Sequence, residues 1–280
     1  MSSISKAWAF LSALSITLIV FGHSLGGREG LLFALILALA MNSFIYFYED
    51  RRVIARIGGR LLEGRDSYGL HESVRRLAIQ ARVPSPKILI LPSQSPQAAV
   101  VGRGVTHGTI ILTEGLLKKL SRPEIESVLA YQIASLRLLN TLAFAVGSFL
   151  TTLMLAATET LDTLVRVLIV EKKDAKTPVS QLFTRLLAPI TGMILRLSIR
   201  PSFYLNADKL AGQLIGDNHR LAQVLWKLSA YSHTLPMQVP LSTAHVFIVS
   251  PLTTHKWKSS FKAQPEAAKR IQQLIGYYPI

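Results

Sequence analysis

The stretch that decides how this chain is read is "IESVLAYQIASLRLLN", residues 125–140. Glu126 stands near its start, apolar residues recur at helical spacing, and Arg137 stands near its end, the charge order that suits a helix dipole. At about 3.6 residues per turn, Tyr131 and Ser135 share one face one turn apart, with Gln132 beside the first. The start is written upstream. Ser121 is placed as an N-cap, Pro123 falls in the first turn and Glu124 supplies the acid of a capping box.

Bulk properties set the surroundings of that helix. Half of the 280 residues are apolar, and 31 basic against 16 acidic residues leave a formal charge of +15. The mean hydropathy is +0.36, high for a soluble protein, so membrane segments are sought first. The basic excess then reads as cytoplasmic surface facing anionic lipid, and no nucleic-acid partner is expected. There are no cysteines, which excludes disulfides, thiolate metal sites and a cysteine nucleophile.

Residues 7–25 contain no charged side chain and as a helix would be about 28 Å long at roughly 1.5 Å per residue, close to the bilayer hydrocarbon. A second apolar run, 30–48, follows the short link "GGRE", so a transmembrane hairpin is expected over 1–48. Arg51, Arg52, Arg56, Arg60 and Arg65 come next and are read as lipid-facing, on the cytoplasmic side with the N-terminus. Apolar segments 138–158 and 179–199 form a second hairpin. The latter contains Arg185, Arg196, Pro189 and Gly192 and is expected to span with its arginines snorkelling. The tail 200–280 has nine basic residues and three acids, which returns it to the cytoplasm.

Residues 49–137 and 200–280 are therefore read as two parts of one cytoplasmic domain. In the first, "HESVRRLAIQARV" is a helix stopped by "PSP", "KILILP" is a buried strand, and "AAVVG" and "GTIILT" are a pair of strands. The predicted class is α+β: a mostly helical integral membrane protein with four transmembrane helices and a cytoplasmic domain bearing a small β-sheet.

The spacing of Tyr131, Gln132 and Ser135 is that of the H-E-x-x-H zinc-protease helix, and the order of segments resembles the HtpX-type membrane zinc metallopeptidases over nearly the whole chain. The resemblance implies a zincin-like, gluzincin-type domain. "QAAVVG", Gln97 to Gly102, stands where that family has roughly N-A-F-A-T-G, and Glu126 and Ala130 match positions around its motif. The two zinc histidines fall on Tyr131 and Ser135 and the catalytic glutamate on Gln132. The third ligand, the glutamate of E-x-x-A-D, falls on Tyr204 of "YLNAD", where Ala207 and Asp208 match. In "KAQPEAAKRIQQL", Gln264 stands for the histidine of T-H-P-P, while Pro265, Arg270, Ile271 and Leu274 fit; Asn140 replaces a further acid.

The positions that would touch metal or move a proton are thus changed, while packing positions match. Catalytic zinc needs three firm ligands and an open position for water. A neutral phenol and an alcohol are poor substitutes, and an amide is no base. The family's zinc is therefore not expected here. None of His23, His71, His107, His219, His233, His245 and His255 is spaced to pair with another as ligands; His107 is placed in a turn, and the later ones at the surface or in loops.

What the resemblance then implies is a pseudopeptidase that binds a membrane protein or an extended polypeptide in membrane protein quality control or regulation. An edge strand of Gln97, Ala98, Ala99, Val100 and Val101 would pair with the polypeptide, unless that strand is covered. Tyr131, Gln132 and Tyr204 would fill the metal's space and hydrogen-bond to one another. Two other readings stay open: a metalloendopeptidase with non-standard ligands, and a basic membrane-surface binder. A bacterial inner membrane is the expected location. The sequence leaves the oligomeric state open.

Overall fold

The computed structural model describes residues 3–64, 66–102, 104–169, 182–252 and 257–277. The apolar runs pair as expected. β2 (Lys87–Leu91) and β4 (Gly108–Thr113) are parallel, and β3 (Ala98–Gly102) adds antiparallel to β4. A two-residue strand that the sequence did not advertise, β1 (Arg60–Leu61), pairs with β2, giving the order β1-β2-β4-β3. Ile88, Val100, Ile110, Ile111 and Leu112 are buried, which is why these strands read as unbroken apolar runs rather than alternating ones.

Against the sheet lie α2 (Leu70–Ala81), α3 (Glu114–Lys119) and α4 (Arg122–Arg137), and the core is completed by α7 (Pro201–Ile215), α8 (Asn218–Thr234) and α9 (Ala267–Ile275). The start of α4 is built as read: Pro123 lies in its first turn, and Glu124 accepts from the Ser121 amide at 2.9 Å. Lys227 of α8 pairs with the same carboxylate; burial, the largest single effect, pushes the Glu124 carboxyl up, but Lys227 and the Ser121 donors together outweigh it and hold the group below its usual range.

Two features of α4 differ from the sequence reading. Every residue from Ser127 to Leu136 is buried, so the helix is central rather than amphipathic, enclosed by sheet and helices. It also stops short of residue 140. Leu139 takes a left-handed conformation (φ 56°), and α5 (Asn140–Ile169) begins after it. The Asn140 amide nitrogen donates to the Phe203 carbonyl at 2.9 Å, which ties this corner to the start of α7.

The membrane part begins with α1 (Ser3–Ile57), broken at Gly26 and Gly27. Gly27 has φ 54° and ψ −132°, a backbone that favours glycine. There the chain doubles back: a Cβ on Gly30 would lie 2.0 Å from the Gly22 carbonyl oxygen, and Asn42 Nδ2 donates to Ser15 Oγ at 3.0 Å. Leu11 and Ile45, from the two arms, pack with Val146 and Leu150 of α5. By length and composition Leu11–Ile45 and Asn140–Val165 can cross a membrane, and α6 (Leu182–Ser198) passes the same test only together with α7 across a 45° bend, as a broken span or a re-entrant loop. The chain is an integral membrane protein.

Helix α5 runs past residue 158, where the sequence ended its third apolar segment. Asp162, expected in a loop, is a buried helical residue whose carboxylate accepts from the Phe183 and Thr184 amides at 2.7 and 3.1 Å, satisfying the first turn of α6. On α6, Leu182, Leu186, Ile190, Met193 and Leu197 form an exposed apolar stripe opposite buried Thr184, Ala188, Thr191 and Leu195. Of the arginines read as lipid-facing, Arg65 and the side chains of Arg51, Arg52 and Arg56 lie outside the described residues. Arg60 is 81% exposed and 3.9 Å from Glu114.

Candidate functional site at the α4–α7 junction

Helices α4 and α7 pack together and bring Tyr131, Gln132 and Ser135 of the first to Tyr204 and Asp208 of the second, all buried. Helix α9 closes the site with Arg270, whose guanidinium is held by both oxygens of Asp208 at 2.8 and 2.7 Å and donates to the Ile248 carbonyl at 2.5 Å. The same guanidinium stands 5.0 Å from the centre of the Tyr131 ring, within cation–π range. Burial works against the charge of Arg270, but Asp208 outweighs it, so the group stays protonated.

The expected bonds among Tyr131, Gln132 and Tyr204 are absent. The Tyr204 hydroxyl donates instead to the His245 carbonyl at 2.8 Å. Both amide atoms of Gln132 are buried without a hydrogen-bond partner among the described residues, and the hydroxyls of Tyr131 and Ser135 make no well-formed hydrogen bond there, although Tyr131 interacts weakly with Ser135 and Arg270. Gln264 Nε2 donates to the Ala244 and Phe247 carbonyls at 2.8 and 3.1 Å. Glu126 lies apart from this cluster, paired with Arg76 of α2 at 2.5 Å.

His245 is the residue that sequence reasoning misplaced. It is fully buried, not at the surface, with Nε2 on the Phe144 carbonyl at 2.9 Å and 3.3 Å from Ser148 Oγ. Burial pushes its pKa down to about 4, against the smaller effect of the bond to Phe144. The run "TAHVFIV" carries an apolar signal on both sides of the histidine that could have placed it inside.

For the edge strand, the alternative of a covered strand is the one the structure has. Gln97, Ala98, Ala99, Val100 and Val101 are all buried. The outward carbonyl of Ala98 accepts from the Ile248 amide at 2.9 Å, and Ala99 bridges antiparallel to Phe247. The strand is covered by the chain's own residues 246–248. The physical reason is that an outermost strand leaves its backbone groups unpaired unless another segment meets them.

These side chains can be tested as a zinc site by their donor chemistry. Burial raises the Tyr131 phenol well above its ordinary pKa, and the nearby Arg270 charge does not reverse this, so it is a neutral hydroxyl near pH 7. Ser135 and Gln132 are neutral too. Among the described residues no three His, Cys, Asp or Glu side chains gather as a metal would require. The set does not fit a catalytic zinc.

The site is thus a small mixed sheet beside a central helix, that helix packed against a second carrying "YLNAD" and closed by a third with Arg270, in a chain in which two other helices are long and apolar enough to cross a membrane. Residues 65–277 match the model of peptidase family M48, and the chain belongs to that family. It is 32% identical over 277 residues to the "Protease HtpX homolog" of Pelotomaculum thermopropionicum, covering 96% of this chain and 97% of that one. It is 33% identical over 276 residues to the protein of the same name from Campylobacter concisus, covering 97% and 96%. The crystal structure of S. mikatae Ste24p superposes with a TM-score of 0.51 at 19% identity, covering 98% of this chain and 64% of that one; this second likeness speaks to the fold alone.

Proposed function

We propose that this chain is a non-catalytic, HtpX-like member of family M48, a pseudopeptidase that acts by binding a protein partner at or in the membrane. One observation carries the reading. The four positions that the resemblance assigns to zinc ligands and the catalytic base hold Tyr131, Gln132, Ser135 and Tyr204, and Tyr204 is committed to a main-chain carbonyl. No step of metal-assisted hydrolysis can be assigned to such groups, because none activates a water at neutral pH.

The hairpin within α1, the apolar length of α5 and the outward stripe of α6 support four spans. Arginines 51–65 and the basic tail support a cytoplasmic N-terminus and main domain, in a bacterial inner membrane. The lipid bilayer is then the constant partner, and a membrane protein in quality control the specific one.

Protein purified in detergent is expected to carry no stoichiometric zinc by elemental analysis and to leave casein intact. Zinc at about one per chain, with casein cleavage stopped by a chelator, would establish a metalloendopeptidase with non-standard ligands instead. The converse experiment installs Tyr131→His, Gln132→Glu, Ser135→His and Tyr204→Glu together. Zinc uptake by that variant alone supports the reading.

A further inference from the structure

β3 is the outermost strand of the sheet and lies beside α4, which makes its free edge the place where an extended polypeptide would add by main-chain pairing. That place is taken. Ile248 donates to Ala98 and Phe247 bridges Ala99. His245, Phe247 and Ile248 have no exposed surface, and Val246 has 3%.

Four carbonyls of this short segment are each held by a side chain from elsewhere. Gln264 reaches those of Ala244 and Phe247, Tyr204 that of His245, and Arg270 that of Ile248. The donors come from α7, from α9 and from the link before it. All four are buried bonds, and two of the three donors, Tyr204 and Gln264, sit where the resemblance places a metal ligand and a histidine.

We propose that residues 244–248, the end of a 3-10 turn (Leu241–Val246) and the two residues that follow it, are a built-in cover that occupies the polypeptide seat on β3 through the Phe247 bridge and closes it in the native protein. Tyr204 and Gln264 are its clasps. The phenol and the amide do not merely fill space left by other residues; they turn that space into a holder for the chain's own backbone. A partner of this protein therefore binds on another surface. The proposal goes beyond the non-catalytic reading and does not depend on metal content.

Hydrogen exchange on the unaltered protein is the first test. The Ile248 amide is expected to exchange roughly 10^4-fold or more slower than an unstructured amide, like other core groups. The double variant Tyr204→Phe with Gln264→Ala should speed exchange across 244–248 by about 10- to 1000-fold, the sum of three lost bonds, while α2 stays unchanged. The second test is a lock. Ala99 and Phe247 form a non-hydrogen-bonded antiparallel pair, whose usual Cα separation of about 4.5 Å suits a disulfide, and the chain has no other cysteine. Ala99→Cys with Phe247→Cys should cross-link within one chain, and fluorescein-labelled β-casein should bind neither the oxidised nor the reduced form.

Rapid exchange at Ile248 in the unaltered protein overturns the proposal, as does casein binding that the cross-link abolishes. Should the cysteine pair fail to fold, the exchange measurements decide alone. A preparation that carries zinc yet protects Ile248 would defeat the non-catalytic reading and leave the closed edge standing.

Discussion

Two clusters meet where α4, α7 and α9 come together and are built on opposite terms. At Asp208 and Arg270 both carboxylate oxygens, two guanidinium nitrogens facing them and a third facing Ile248 are hydrogen-bonded in full burial. At Tyr131, Gln132 and Ser135 the polar atoms are equally buried, and among the described residues none makes a well-formed hydrogen bond, the Tyr131 hydroxyl having only weak interactions with Ser135 and Arg270. The first cluster consists of residues that match the family resemblance, and the second of residues that depart from it. Matching positions thus hold the frame, while departing positions on α4 contribute little bonding to it. The lesson is that the buried ion pair, not the polar group on α4, supplies the bonding at this junction.

The largest expected effect breaks the first cluster. Arg270→Met or Asp208→Leu alone should destabilise the protein by about 3–5 kcal/mol, since each leaves an unpaired buried charge. The two together should cost much less, as an apolar pair needs no compensation. Denaturant unfolding in detergent checks both, and two additive losses would mean the ion pair is not the frame.

The next effect is one of pH. The folded-state pKa of His245, about 4, lies below the ordinary 6.5, so the unfolded chain binds the proton more tightly. Stability is then fully present above about pH 6.5 and falls as the pH drops toward 4, by roughly 3 kcal/mol at about 1.4 kcal/mol per unit. His245→Asn should flatten that slope. An unchanged slope in the variant would assign the acid sensitivity to other groups.

Much of this was legible in the residues. The strands β2 to β4, helices α2 and α4 and the capping box at Ser121 follow from local pattern and turn chemistry, which depend on neighbours in sequence. So did the pairing of Tyr131 with Ser135 on one helical face. What escaped needs contacts across the chain. The cover on β3 is a segment some 150 residues downstream of it, His245 is buried by Phe144 and Ser148 from α5, and Asp162 is satisfied only because α6 starts above it. The Tyr204 hydroxyl is a further case: its partner, the His245 carbonyl, lies 41 residues downstream and left no local signal.

The smaller effects separate the clasps from the unbonded group. Tyr204→Phe removes one buried hydrogen bond and leaves the His245 carbonyl unmet, for a loss of about 1–2 kcal/mol. Gln132→Met should do the reverse. Both amide atoms of Gln132 are buried and unpaired, so replacing them with a thioether of similar length removes a desolvation cost and is expected to stabilise by up to about 1 kcal/mol. The contrast rests on sign rather than size. If Gln132→Met destabilised the fold as Tyr204→Phe does, the amide would be bonded in solution, and the difference drawn between the two clusters would disappear.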